Sequence, residues 1–254
     1  MPRIAVVAAT RWECQAVASI LSDGRAGLIG GVPCLDGRRG AHQVFVVRTG
    51  VGPLQAARAA ASFLDACPVD VVLSAGYTCL LTQGAVGDVV VATEVAPLSG
   101  DHTENQGPVS TGAGLPCETA LGALAAQVAG QRTHHVHAGR VVSGPRVAVT
   151  REEKRHIATK TGAVGLDMES AAIAGAAARR RIPMGVVRVA SDVLDEDLPL
   201  DFNRCLGPCG WMTGVALCVR RPLRLIGLMK FRRDVSAATM VLTEVYGGVL
   251  DRYE

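Results

Sequence analysis

Short apolar runs alternate with alanine-rich segments along most of this 254-residue chain, and that alternation limits the folds open to it. The clearest unit lies within residues 163–190: Ala163–Asp167 and Met184–Ala190 predict strands, and Met168–Arg180 between them predicts a helix. A strand, a helix and a strand within about 30 residues are typical of parallel strands joined by a right-handed crossover. We therefore expect an α/β fold with helices on both faces of a sheet.

The rest of the chain extends this pattern. Further strands are predicted at Arg3–Ala9, Val44–Arg48, Val69–Ser74 (ended by Gly76), Val86–Ala92 and His135–Ser143, and further helices at Trp12–Leu21, Leu54–Ala66 and Leu121–Val128. Residues 97–117 contain four glycines and three prolines and are expected to form a long loop. The sequence thus predicts one α/β domain, residues 1–203, with a central, mixed, mostly parallel twisted sheet flanked by helices. Residues 204–254 are predicted to form a basic helical extension packed on or near it.

Composition excludes several classes of protein. Hydrophobic residues make up 49% of the chain and charged residues 19%, which a disordered chain does not show. Aromatic residues are only 4%, which argues against a nucleic-acid surface built on base stacking. No apolar stretch reaches the roughly 18 residues of a membrane span. The first residues lack the apolar segment and cleavage site of a signal peptide, so we expect a cytoplasmic protein.

The basic residues are concentrated in the tail. Residues 203–254 carry a net charge of +4, whereas residues 1–202 carry −1. The basic positions that interleave with apolar ones are Arg220, Arg221, Arg224, Lys230, Arg232 and Arg233. A basic amphipathic helix of this kind can lie on an anionic membrane. A terminal helix that packs on the domain with its arginines in water explains the pattern equally well, and Pro222 interrupts it.

Acidic side chains follow three of the predicted strands. Glu13 comes after the first strand, Asp167 and Glu169 flank Met168 after the strand at 163–167, and Asp192 follows the strand at 184–190. Ligands of open α/β sheets bind at the carboxyl ends of the strands. A helix cap accounts for any one of these residues. The coincidence of three predicts a binding site that contains several carboxylates.

Two of these segments carry a family resemblance. Gly165-Leu166-Asp167-Met168-Glu169-Ser170, followed by Val187-Arg188-Val189-Ala190-Ser191-Asp192, resembles the nucleoside phosphorylase and nucleosidase superfamily. That superfamily includes the purine nucleoside phosphorylases and the methylthioadenosine/adenosylhomocysteine nucleosidases. The segment Ala8-Ala9-Thr10-Arg11-Trp12-Glu13 and the pair Gly87-Asp88 before a strand are also similar to it. The resemblance covers about residues 3–202 and implies an enzyme that cleaves an N-glycosidic bond.

A narrower resemblance concerns the substrate. The run Asp195-Glu196-Asp197-Leu198-Pro199-Leu200-Asp201-Phe202-Asn203 and the arginine-rich tail resemble the hopanoid-associated phosphorylases. The implied reaction releases adenine from adenosylhopane in hopanoid biosynthesis, by attack of phosphate or water at C1′. The alternative enzymes are a methylthioadenosine/adenosylhomocysteine nucleosidase and a futalosine nucleosidase.

The resemblance also implies roles for individual residues. Asp192 is the expected general acid that protonates the purine at N7, and burial among apolar strands should keep its carboxyl protonated until it acts. Ser191 is expected to orient Asp192 by a hydrogen bond. Glu169 is expected to accept hydrogen bonds from the 2′- and 3′-hydroxyls of the ribose, and Met168 to pack against the sugar. Glu13 is expected to activate a water, as in the nucleosidases.

A phosphorylase would instead hold phosphate in a site lined by arginine and glycine, for which Arg48 and Thr78 are the candidates here. The family commonly has Gly-x-Ala-Gly-Gly after its third strand, whereas this chain has Gly76-Tyr77-Thr78-Cys79-Leu80. Larger residues in place of the later glycines leave a third alternative, a catalytically silent nucleoside-binding or membrane-associated protein. The choice between phosphate and water stays open at this level.

The expected partners follow from the same resemblance. They are a small-molecule purine nucleoside, with or without an attached lipid, and further copies of the chain in a homo-oligomer. Peripheral contact with the inner face of a membrane through the basic tail is a further expectation. No nucleic acid, no metal and no organic cofactor is expected, and phosphate is the one co-substrate considered.

Overall fold

The computed structural model describes residues 1–100, 109–205 and 224–253, so Arg220 and Arg221 of the basic tail lie outside the described residues. The strands are β1 (Arg3–Ala8), β2 (Ser22–Ile29), β3 (Val32–Arg39), β4 (His42–Arg48), β5 (Val71–Leu80), β6 (Val89–Ser99), β7 (Ser110–Thr111), β8 (Leu115–Pro116), β9 (Val136–Ser143), β10 (Gly165–Asp167) and β11 (Met184–Asp192). The helices are α1 (Arg11–Ala18), α2 (Pro53–Ala66), α3 (Thr119–Gln131), α4 (Arg151–Thr161), α5 (Ser170–Ala178) and α6 (Arg224–Arg252), with a short 3-10 helix at Phe202–Cys205.

The strands form one mixed sheet in the order β10-β9-β6-β11-β5-β1-β4-β3-β2. Parallel pairing joins β4 to β1, β1 to β5 and β5 to β11, and it also joins β6 to β9 and β9 to β10. The short strand β10 pairs in addition with β5, in the antiparallel direction, which curls this part of the sheet onto itself. Buried apolar residues cover both faces and pack against the helices. The predicted α/β domain with a mixed sheet flanked by helices is therefore confirmed.

The predicted parallel unit around residues 163–190 is wrong in its pairing. β10 and β11 are not neighbours, and β10 runs antiparallel to β5, whereas β11 runs parallel to β5. The helix between them, α5, is present, but it does not connect two parallel strands. The sheet curls locally, so a three-residue strand pairs where the curl brings it rather than beside the next strand in sequence.

Other differences concern the limits of the strands. β5 does not end at Gly76, because this residue keeps pairing with Arg188 of β11. The hairpin of β2 and β3 was not predicted. Nearly all residues of β2 are exposed, so its sequence shows no apolar periodicity. Of the predicted loop 97–117, residues 101–108 lie outside the described residues, and the remainder adds the end of β6 and the strands β7 and β8.

The carboxyl-terminal half of α6 is part of the hydrophobic core. Its buried side chains are Ala238, Leu242, Val245, Tyr246, Val249 and Leu250. The hydroxyl of Tyr246 donates a hydrogen bond to the carbonyl oxygen of Ser74, at 2.8 Å, which fixes the helix to β5. The amino-terminal half leaves Ile226 and Met229 69% exposed. None of the helices within the described ranges combines the length and the apolar character that crossing a membrane requires.

Candidate active site

A cavity of about 270 Å³ opens where β1, β5 and β11 end. Six of the residues predicted for the site line it: Glu13, Thr78, Met168, Glu169, Ser191 and Asp192. Arg48 is the exception, because it is exposed at the end of β4 and does not line the cavity. The structure thus brings the three predicted strand-end carboxylates to one cavity and leaves the predicted phosphate-binding arginine outside it.

Glu13 is held firmly by its own helix and by β5. Thr10 caps α1, and its backbone N–H and hydroxyl donate to Glu13 Oε2 at 2.7 and 2.8 Å. The backbone N–H of Tyr77 donates to Glu13 Oε1 at 3.0 Å. Its side chain is therefore fixed in place and buried, yet it borders the cavity.

Gly76 makes this arrangement sterically possible. Its φ is +151°, and a Cβ there would lie 2.2 Å from Arg188 Nη1 and 2.4 Å from Glu13 Oε1. Such distances are far below van der Waals contact, so any larger residue displaces one of the two charged groups. The first glycine of the family pattern therefore has a clear structural reason in this chain.

Arg188 is a fully buried cation behind the carboxylates. Its Nε lies 3.0 Å from Asp167 Oδ2, and its Nη atoms donate to the Ser74 hydroxyl and the Ala75 carbonyl at 2.9 and 3.0 Å. Asp167 in turn accepts hydrogen bonds from the hydroxyls of Ser143 and Ser170. This network satisfies the buried charges and supports the loop that carries Met168 and Glu169.

Glu169 has the most perturbed carboxyl of the cavity. Burial, followed by the nearby Asp167, raises the pKa of Glu169 to about 7, although Arg188 and the Gly52 N–H oppose the shift. The backbone N–H of Gly52 donates to Glu169 Oε1 at 2.7 Å. A buried carboxylate beside an apolar methionine is suited to accept hydrogen bonds from vicinal hydroxyls.

Asp192 lies across the cavity at the end of β11, and its surroundings differ from those expected. Ser191 Oγ donates to Asp192 Oδ1 at 3.0 Å, which is the contact predicted for this pair. The other oxygen, Oδ2, does not face apolar strands but lies 2.7 Å from Nζ of the buried Lys154, as an ion pair without hydrogen-bond geometry. Asp192 is therefore held by a hydroxyl on one side and an ammonium on the other.

Thr78 and Cys79 occupy the positions where the family commonly has small residues. Thr78 is buried, and its hydroxyl donates to the carbonyl of Leu166 at 2.9 Å, so it ties β5 to β10. Burial and, next, Asp192 raise the pKa of the Cys79 thiol well above its usual value, which keeps it neutral. Both residues line the cavity.

One wall of the cavity is apolar and aromatic. Phe202 and Phe231 contact each other with their ring centroids 4.9 Å apart, and Leu198 lines the cavity beside them. The Asn203 amide holds this wall by pairing with the backbone N–H and carbonyl of Val147, at 2.8 and 2.9 Å. The aromatic pair joins the 3-10 helix to the amino-terminal half of α6.

Sequence reasoning passed over several of these residues. Arg188 was detectable, because a charged residue within a predicted buried strand must find a partner. Phe202, Phe231 and Lys154 carried no such signal, since only the folded chain brings them to the cavity or to Asp192. Arg146 also lines the cavity, where its guanidinium pairs with Glu153.

Comparisons with known proteins agree with this fold. The 5′-methylthioadenosine/S-adenosylhomocysteine nucleosidase of Actinobacillus succinogenes is 28% identical over 211 residues, which cover 80% of this chain and 91% of the relative. The crystal structure of the Neisseria meningitidis enzyme of the same name, in complex with methylthio-immucillin-A, superimposes with a TM-score of 0.77 at 21% identity and covers 99% of both chains. The futalosine hydrolase of Helicobacter pylori superimposes with a TM-score of 0.76 at 19% identity, over 98% of this chain and 97% of that one.

The family itself is established by sequence. Residues 3–204, which are most of the chain, match the sequence profile of the phosphorylase superfamily. This match confirms the family predicted from the strand-end motifs and, with it, the class of N-glycosidic-bond-cleaving enzymes. The chain belongs to the phosphorylase superfamily.

Proposed function

We propose that this protein is a nucleosidase that hydrolyses the N-glycosidic bond of a purine nucleoside and releases the base. The observation that carries the proposal is the convergence of Glu13, Glu169 and Asp192 on one cavity, from three separate segments of the chain. Each of the three is buried or nearly so and is held by hydrogen bonds or an ion pair. Catalytic groups that are already held in position lower the barrier of a slow reaction, because little ordering remains to be done when the substrate binds.

The chemistry assigns a task to each carboxylate. Breaking the C1′–N9 bond leaves positive charge on the sugar and negative charge on the departing purine, as in other glycoside cleavages. Glu169 binds the ribose hydroxyls and Glu13 takes a proton from the water that attacks C1′. Asp192 gives a proton to the purine, so the base leaves neutral. Met168 packs against the sugar between these groups.

Water is the proposed nucleophile rather than phosphate. Among the described residues that line the cavity, the cation is Arg146, and its guanidinium already pairs with Glu153. Arg188 is buried behind the cavity and bound to Asp167. A phosphate beside Glu13 would therefore meet a carboxylate without a free cation to offset the repulsion.

Adenosylhopane is the proposed substrate. The cavity of about 270 Å³ is at the small end of ligand pockets. It suits a nucleoside, with the hopane skeleton left outside against the apolar rim of Phe202 and Phe231. The segment Asp195–Asn203, which resembles the hopanoid-associated subgroup, supplies this rim together with α6. Methylthioadenosine, adenosylhomocysteine and futalosine, which give the names of the similar proteins, are the competing substrates.

A lipid-linked substrate makes membrane contact part of the proposal. The amino-terminal half of α6 exposes Ile226 and Met229 together with Arg232 and Arg233. Apolar and basic side chains exposed side by side suit an anionic lipid surface. Cosedimentation with vesicles of phosphatidylglycerol should exceed that with phosphatidylcholine vesicles, and Ile226→Asp/Met229→Asp should abolish the difference. Equal binding to both vesicles would refute the contribution of the basic residues, and binding to neither would refute the membrane contact.

A homo-oligomer is also proposed, in line with the family resemblance. Two large apolar side chains, Trp12 and Leu54, are 70% and 61% exposed in the first turns of α1 and α2. Light scattering on the purified protein tests this, and a monomer at micromolar concentration would contradict it. Trp12→Asp/Leu54→Asp should shift an oligomer toward monomer if these residues form the contact.

The decisive experiment is an assay of base release by the purified chain. Adenosylhopane, methylthioadenosine, adenosylhomocysteine and futalosine are each incubated with and without phosphate, and the sugar product is identified. We expect base release that is independent of phosphate and yields the free sugar. Formation of a sugar 1-phosphate would replace hydrolysis by phosphorolysis. Tight binding of nucleosides without release of base from any of them would instead support the catalytically silent alternative.

A further inference from the structure

Lys154 is a buried lysine to which the reaction above assigns no task. It lies in the first turn of α4, and its side chain is 0% exposed. Lysine is rarely buried completely unless it is paired. Its Nζ donates to the carbonyl oxygens of Val193 and Glu196 at 3.0 and 2.9 Å, and lies 2.7 Å from Asp192 Oδ2. The two carbonyls belong to the loop that follows β11, so Lys154 fixes both that loop and the carboxylate beside it.

The lysine is charged in this position. Burial by itself lowers the pKa of Lys154, but the Asp192 carboxylate outweighs it, and the net shift is upward. Ser191 holds the opposite oxygen of the same carboxylate. One oxygen of Asp192 therefore accepts from a hydroxyl, and the other lies beside an ammonium.

We infer that Lys154 is the positioning residue of Asp192: its ammonium fixes the carboxyl group at the purine end of the cavity and stabilises the charge that Asp192 acquires on giving up its proton. This inference rests on the proposed function. It assigns Lys154 no direct contact with the substrate, since Lys154 lies behind Asp192 and does not line the cavity.

The step balances with the attacking water as the other reactant: the water oxygen bonds to C1′ and one of its protons goes to Glu13. The C1′–N9 bond breaks with its electron pair going to the purine, the Asp192 proton moves to N7, and the neutral base leaves while Asp192 becomes a carboxylate. The ammonium lowers the energy of that carboxylate, so proton donation is easier. Lys154 keeps its protons throughout.

Other charged groups near this pair come from three elements. β5 contributes Cys79, whose neutral thiol adds no charge. The loop after β11 contributes Asp197, which acts on Lys154 electrostatically. α6 contributes Lys230 and Asp234 to a neighbouring cavity, where Lys230 pairs with both Asp234 and Glu196. Within the described part of the chain, Lys154 is therefore the cation paired with Asp192.

The test compares Lys154→Met with Lys160→Met, which removes an exposed lysine from the last turn of the same helix. Both full-length variants and the wild type are assayed for base release between pH 5 and 9. Lys154→Met should lower the plateau kcat by about 10- to 100-fold with little change in KM. The loss should be in kcat throughout this pH range, because Lys154 acts on the proton-donating step and not on substrate binding. Lys160→Met should match the wild type.

A second comparison uses the Asp192→Asn background. If Lys154 acts through Asp192, adding Lys154→Met there should change kcat by less than about twofold. This double variant removes both charges together, so it remains informative if Lys154→Met alone fails to fold. An unchanged plateau kcat in Lys154→Met, or an equal loss in the Asp192→Asn background, would overturn the inference. Absence of base release by the wild type would instead overturn the proposed function, and this inference with it.

Discussion

The two ends of the cavity carry opposite charge balances. At the sugar end, Glu13, Glu169 and Asp167 gather around a single guanidinium, that of Arg188, so negative charge is in excess. At the base end, the carboxyl group of Asp192 faces one ammonium, that of Lys154, and the charges balance once Asp192 has given up its proton. Both ends are buried, but only one is left with a net charge.

This difference matches the charges that develop during N-glycosidic cleavage. A sugar that becomes cationic is stabilised by the excess of carboxylates at its end. The purine leaves as a neutral base only if it receives a proton. The donor, Asp192, then becomes negative, and the ammonium of Lys154 offsets that charge. One cavity can therefore stabilise opposite charges at its two ends when different cations support the carboxylates. Each of the following experiments disturbs one end and leaves the other intact.

The largest effect is expected from Glu13→Gln at the sugar end. The amide keeps the shape of the side chain but cannot take a proton from water, so kcat should fall by about 10³-fold with little change in KM. Steady-state base release measures this. A kcat within about threefold of the wild type would remove Glu13 from its proposed task.

Asp192→Asn breaks the base end and should lower kcat by about 10²-fold or more. Because the amide leaves Lys154 buried without its carboxylate, the variant should also unfold at a lower temperature. Thermal unfolding with and without adenine separates the two effects. Full turnover in this variant would show that the base leaves without help from Asp192.

Glu169 should make substrate binding depend on pH. With the pKa of Glu169 raised to about 7 by burial and by Asp167, the ionised form that accepts from the ribose hydroxyls appears as the pH rises through 7. KM should therefore fall between pH 6 and 8, and Glu169→Gln should raise KM by about tenfold and abolish that dependence. A KM that is flat with pH in the wild type would contradict this.

The same group affects stability with a defined sign. A carboxyl whose folded-state pKa lies above its unfolded value keeps a proton in the folded state that the unfolded chain has lost. Its contribution to the free energy of unfolding should therefore decrease as the pH rises from about 4.5 to 7, and then level off. Urea unfolding of the wild type and of Glu169→Gln across this pH range measures the decrease in the free energy of unfolding. This contribution to the decrease should be absent in the variant.

The smallest change, one methyl group, tests the support of the sugar end. In Gly76→Ala the added Cβ collides with Arg188 and Glu13, so we expect a loss of stability of about 2–4 kcal/mol and weaker activity. Gly130→Ala, near the end of α3, is the matched control, because a Cβ added there would meet no other atom within 4 Å. Equal stability of the two variants would show that the close approach at Gly76 is not required.

Part of this site was accessible from the sequence. Glu13, Glu169 and Asp192 follow apolar runs that the pattern predicts as strands, and strand ends are where such sheets bind ligands. The predicted phosphate contact of Arg48 was not placed at the cavity, because a residue at a strand end can still project toward solvent. The pairing of β10 was also mispredicted, since nothing in a three-residue strand specifies its neighbour.

Local periodicity and short motifs are enough to predict the alternation of strands and helices, the family and the acidic residues of the site. The folded chain is needed to see that Lys154 lies beside Asp192, that Arg188 lies behind Glu13 and Glu169, and that Phe231 of a distant helix lines the cavity. The reason is physical: a buried charge depends on partners that are far away in sequence, and no local pattern encodes which partner the folded chain brings within about 3 Å.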